Sequence, residues 1–71
     1  MRYAIVIEKS KTGYGAYAPD LPGVGVVGDS VSEVKQLLRD AVAFHVDGLK
    51  ADGEPIPPPS VQIEYMELPA A

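Results

Sequence analysis

Three carboxylates and one imidazole are the only places where chemistry would start in this chain. Asp20 and Asp29 flank a short apolar run, Glu8 ends another, and His45 is the single histidine. A two-metal nuclease needs several carboxylates converging on one point. Asp20 and Asp29 sit instead in turns with local reasons for aspartate, namely turn closure and helix entry. Glu8 leads into a polar hairpin. Cysteine is absent, which excludes a disulfide framework and thiolate metal sites, and one histidine does not build a zinc site within one chain. His45 falls on the apolar face of a predicted helix with no nucleophile or second ligand spaced for it. It reads as a buried imidazole bonded to backbone or tyrosine. Gly23, Gly25 and Gly28 fit neither phosphate-loop spacing. Tyr3, Tyr14, Tyr17 and Tyr65 would stack bases only in a positive groove, and this chain is acidic. No catalytic residue, metal ligand or cofactor is therefore expected, and the protein is not expected to be an enzyme.

The elements that would position these residues are short and sharply bounded. Tyr3–Ile7 is an apolar run rich in β-branched residues, so Arg2–Glu8 is predicted as a strand buried on both faces. Lys9–Gly13 is a polar hairpin loop. Tyr14–Ala18 is the second strand and Val24–Val27 the third, and the short turns between them make an antiparallel meander. Pro19, Asp20, Pro22 and Gly23 form the turn cluster. Proline presets φ, aspartate bonds a downstream amide, and glycine permits a positive φ. Ser30-Val31-Ser32-Glu33 has the capping-box pattern that opens a helix. That helix is expected from Val31 to Leu49, with Val31, Val34, Leu38, Ala41, Val42, His45 and Leu49 on its apolar face. Asp52-Gly53 breaks it. Glu54–Ser60, with four prolines, is a stiff connector. Val61, Ile63 and Tyr65 alternate with Gln62 and Glu64, the pattern of a fourth strand with one wet face. Pro69-Ala70-Ala71 reads as a frayed end. The expected order is β-β-β-α-β, an α+β fold in a single domain over residues 1–71.

Charge and length set the function class. The net charge is −4 over 71 residues, which argues against a nucleic-acid surface built on clustered Lys and Arg. The excess lies in the last third, where Asp47, Asp52, Glu54, Glu64 and Glu67 face a single base, Lys50. A negative end suits a basic partner. A chain this small buries little core. With disulfides and metals excluded, association with another chain is the remaining source of burial. A sheet edge or face left uncovered points the same way, to a homo-oligomer. No segment has the apolar length for a membrane span and the N-terminus lacks a signal-peptide pattern, so a cytoplasmic location is expected.

The ordered set Tyr17-Ala18-Pro19-Asp20-Leu21-Pro22-Gly23, Gly28-Asp29-Ser30, Glu33, a helix carrying Ala41 and His45, then Gly53-Glu54-Pro55-Ile56-Pro57 and Pro59-Ser60 resembles the HicB antitoxin family. The likeness covers nearly the whole chain. It implies a partial ribonuclease H-like domain that lacks the nuclease carboxylates. It also implies a binding role, namely neutralising a small basic mRNA-cleaving HicA-type toxin by covering its active surface. Many relatives add a helix-turn-helix or ribbon-helix-helix domain. These 71 residues hold no segment for one, so DNA binding is not expected of them.

The expected role is a non-catalytic, protein-binding one. Charge would steer the partner and an apolar patch would supply affinity. The expected partner-binding residues are Asp20 and Leu21, which fall on the family motif. Phe44, Asp47, Glu64 and Glu67 join them on charge and helix-edge position. The competing readings are a homo-oligomer with no toxin partner and a minimal metal-dependent ribonuclease H-like nuclease.

Overall fold

The computed structural model describes residues 1–70; Ala71, part of the expected frayed end, lies outside them. β1 (Val6–Lys9), β2 (Tyr14–Tyr17) and β3 (Gly25–Gly28) form one antiparallel sheet in the order β1-β2-β3, and α1 (Val31–Ala51) follows. The register pairs Val6 with Tyr17 and Ile7 with Ala16, then Ala16 with Val26. Side chains alternate across a strand. Ile7, Ala16 and Val26 therefore face α1, while Val6, Tyr17 and Gly25 face the other way. The core between sheet and helix is Ala16, Ala18, Leu21, Val24, Val34 and Leu38.

β1 is shorter than predicted and none of its residues is buried. The cause is its partner. β2 gives way at Ala18-Pro19, and proline has no N–H to extend the ladder, so residues 2–5 lack a pairing strand. A single helix also covers only one face of the sheet.

The β2–β3 connection is two successive turns. Leu21 N–H donates to Ala18 O at 3.0 Å and Val24 N–H to Leu21 O at 3.2 Å. Pro19 and Pro22 occupy the second position of each turn, and Gly23 has φ +84°, the conformation a type II turn requires at its third position. The turns fold Leu21 inward, where it is fully buried.

Both helix ends are closed locally. Ser30 Oγ accepts from Glu33 N–H at 3.1 Å, as the capping pattern predicts. The Glu33 carboxylate reaches Asp29 N–H at 2.8 Å, one residue earlier than the usual reciprocal bond. At the other end Gly53 N–H donates to Lys50 O and Glu54 N–H to Leu49 O, with Gly53 at φ +68°. That is a Schellman termination. Val31, predicted on the apolar face, is exposed because it precedes the first turn that meets the sheet.

The fourth strand predicted over Val61–Tyr65 does not form, so the described residues give a three-stranded α+β fold in the order β-β-β-α. The chain crosses the end of the sheet instead. The Tyr3 hydroxyl donates to Pro57 O, and the Asp20 carboxylate takes Ser60 and Val61. Residues 61–70 then project, all of them exposed. The radius of gyration is 14.3 Å, against about 11 Å for a compact chain of this length.

Candidate functional site

α1 presents two unlike flanks, and its 100° step per residue decides which side chains share each. Glu33, Leu37, Asp40, Phe44 and Asp47 share the flank beside β3, and all five are exposed. Phe44 is 83% exposed, a large apolar cost in water with no intrachain function. Leu37 lies by Val26 and Val27 at the β3 edge, and Val27 is itself 80% exposed. This side combines apolar side chains with three carboxylates. Asp40 is oriented by Gln36, whose Nε2 donates to Asp40 Oδ1 at 3.2 Å.

The opposite flank lines a groove of about 520 Å³ between α1 and the run Met1–Ile5. Ile5, Leu38, Val42 and Val46 form its floor, and Ile56 closes one part of it. Arg2, Lys35, Arg39 and Lys50 line it as well. These are four of the chain's six cations. The groove is therefore apolar at the base and positive at the rim.

Asp20 works within the chain. Its Oδ1 accepts from Ser60 Oγ at 2.6 Å, and its Oδ2 accepts from Ser60 N–H at 2.9 Å and Val61 N–H at 3.2 Å. The Ser60 hydroxyl, then the two amides, hold its carboxyl below the usual carboxylate range, because each bond favours the charged form. A carboxylate spent on three donors is a clamp on the tail.

The predicted contact residues thus separate. Leu21, expected to meet a partner, is at 0% exposure and offers no side-chain surface; its place is the core. Phe44 and Asp47 share the acidic flank. Glu64 and Glu67 lie on the projecting tail, apart from that flank. Leu37 and Asp40 were missed, as was the cationic groove. The signal was in the sequence: positions 37, 40, 44 and 47 recur at helical spacing, as do 35, 39, 42, 46 and 50.

His45 is half-buried rather than buried, and no side-chain hydrogen bond of the described residues reaches it. It lies in line with Val34 and Leu38 on the sheet-facing stripe, but about two turns beyond Leu38, the last buried residue of α1. Glu8 stands opposite Gly15 on the outer face of the sheet, Asp20 is bonded to Ser60 and Val61 far along the chain, and Asp29 takes part through its backbone N–H, which donates to Glu33. Among the described residues no three His, Cys, Asp or Glu side chains gather into a metal-sized cluster. No helix of the described residues is long and apolar enough to cross a membrane.

A sheet and helix with contact flanks of opposite sign offer surfaces for other macromolecules. Comparison with known proteins gives that build a family. Residues 3–70 match the model of the HicB-like antitoxin of bacterial toxin-antitoxin systems, and the chain belongs to this family. It is 33% identical over 72 residues to Antitoxin HicB 2 of Photorhabdus laumondii, covering 100% of this chain and 52% of that one. It is 36% identical over 69 residues to a 14.9 kDa protein from the rep-hol intergenic region of Haemophilus phage HP1, covering 97% and 52%. The chain thus spans about half the length of these curated relatives. Among solved structures, a chain of a HicA3 and HicB3 toxin-antitoxin complex superposes with a TM-score of 0.69 at 32% identity, covering 83% of this chain and 70% of that one.

Proposed function

We propose that this protein is a non-catalytic antitoxin that binds and neutralises a small basic HicA-type toxin through the acidic flank of α1. The observation that carries the reading is Phe44, 83% exposed among Asp40, Asp47 and Glu33 on one helix flank. An exposed aromatic ringed by charge is the makeup of a binding hot spot. Carboxylates around it would steer a cationic partner and set its orientation. Likeness to a chain of a HicA3–HicB3 complex supports a partner of this class. The cationic groove on the other flank would repel a basic toxin, so the two flanks are not interchangeable. Toxin and antitoxin would meet in the cytoplasm, where the messenger RNA is.

The test is an RNA-cleavage assay with a small basic HicA-type toxin, sought in the gene next to that of this chain. Added antitoxin should abolish cleavage at equal molar ratio, and Phe44→Ala should require a large excess. Cleavage undiminished by any excess of the wild-type chain would sink the reading.

A further inference from the structure

We propose that the groove between Met1–Ile5 and α1 receives the C-terminal segment Val61–Leu68 of a second copy of this chain, in a reciprocal exchange. This goes beyond toxin binding and uses the other flank of the helix.

The tail has the composition of a strand and no sheet to join. Val61, Ile63 and Tyr65 alternate with Gln62 and Glu64, and Tyr65 is 96% exposed. Its own chain keeps it away from the groove. Ile56 passes the groove, Pro57 is held by Tyr3, and the Asp20 clamp fixes Ser60 and Val61 at the sheet end. The groove lies beside the free edge of the sheet, because β1 pairs only with β2. An unpaired edge next to an apolar trough takes an added strand, with backbone bonds to the edge and alternate side chains in the trough.

Length and charge both match. Lys35 and Lys50 bound the helix side of the groove, about 22 Å apart at the helical rise. Eight extended residues span about 25 Å. In an added strand, Val61, Ile63 and Tyr65 would cover Ile5, Leu38, Val42 and Val46. Glu67 is in phase with them and meets the helix cations Lys35, Arg39 and Lys50. A basic toxin would find the reverse of complementarity here. Two such exchanges related by a twofold axis close a dimer and leave no tail free. Among the described residues of one copy only six are buried, so the exchange also supplies core that the lone chain lacks.

Cysteine is absent, so engineered thiols report contact cleanly. Full-length Ala43→Cys, at the groove, and full-length Ile63→Cys, on the tail, are mixed and oxidised. A mixed disulfide dimer is expected, and Glu8→Cys in place of Ala43→Cys should give none. Sedimentation of Arg39→Glu and of Glu67→Arg should each show a dimer dissociation constant raised about tenfold, the scale of a charge pair turned repulsive. Mixing the two variants should restore association. A monomer at all concentrations would overturn the proposal. So would a doubly substituted chain that closes on itself, or a tail that cross-links only to an added HicA-type toxin. The RNA-cleavage assay is read separately, so failure of the exchange leaves toxin binding standing, and the converse holds.

Discussion

The two flanks of α1 share a backbone and a core, and differ in almost everything a partner would feel. One carries Phe44 and Leu37 among carboxylates, convex and exposed. The other is concave, with Leu38, Val42 and Val46 beneath Arg2, Lys35, Arg39 and Lys50. Sign, curvature and burial all separate them, since the first flank is exposed throughout and the second rests on buried Leu38 and half-buried Val42 and Val46. A helix of 21 residues over a three-stranded sheet has more circumference than the sheet can cover. The uncovered remainder is the surface to which both proposed partners are assigned. On the proposed reading, opposite charges on opposite flanks would keep the two partners from competing for one site.

The most damaging change is to the ridge both flanks stand on. Leu38 is buried and also lines the groove. Leu38→Ala should cost about 2–5 kcal/mol of a total near 4–10 kcal/mol for a chain of this length. Urea denaturation followed by circular dichroism reads the loss, and both binding activities should fall together. A charge change sharpens the contrast without touching the fold. Asp40→Lys with Asp47→Lys should slow toxin association by about tenfold at low salt while sedimentation still shows the unmodified self-association; stopped-flow mixing measures the rate. Ser30→Ala removes the hydroxyl that caps α1 and should cost about 1 kcal/mol in the same denaturation experiment, shifting neither partner's preference.

The smallest effect is on the Asp20 clamp. Its carboxyl is held below the ordinary value of 3.8, so the folded state binds the proton less well than the unfolded chain. The clamp's contribution is therefore complete at neutral pH and is lost as pH falls below 3.8 through the depressed folded value. The Ser60 and Val61 amide resonances should titrate with a midpoint under that value. Asp20→Ala should abolish the titration and loosen the tail at every pH.

Much of this was legible in the residues, in proportion to how local each cause was. Pro19, Pro22 and Gly23 specify their turns by themselves, as Ser30 and Gly53 specify the helix ends. Tyr14–Tyr17 and Gly25–Gly28 follow because those turns fix the register. The fourth strand was expected because Val61–Tyr65 alternates, but alternation says only that a segment suits a sheet and supplies no pairing edge. Asp20 looked available because its partners, Ser60 and Val61, lie 40 and 41 residues away. Leu21 sits on the family motif, yet motif membership does not distinguish a contact from a core residue, and its two turns bury it. The acidic flank was half read, through Phe44 and Asp47, since those stand out singly; the helix cations of the groove recur at a legible spacing, while Arg2 and Ile5 join them only in three dimensions.

Calorimetric titration of the HicA-type toxin into three proteins tests the division of labour most directly: wild type, Phe44→Ala and Arg39→Glu. Action through the acidic flank predicts one toxin per wild-type chain, binding weakened at least thirtyfold, about 2 kcal/mol, by Phe44→Ala, and affinity unchanged by Arg39→Glu. Equal weakening by both variants, or no heat from the wild-type chain, would contradict it.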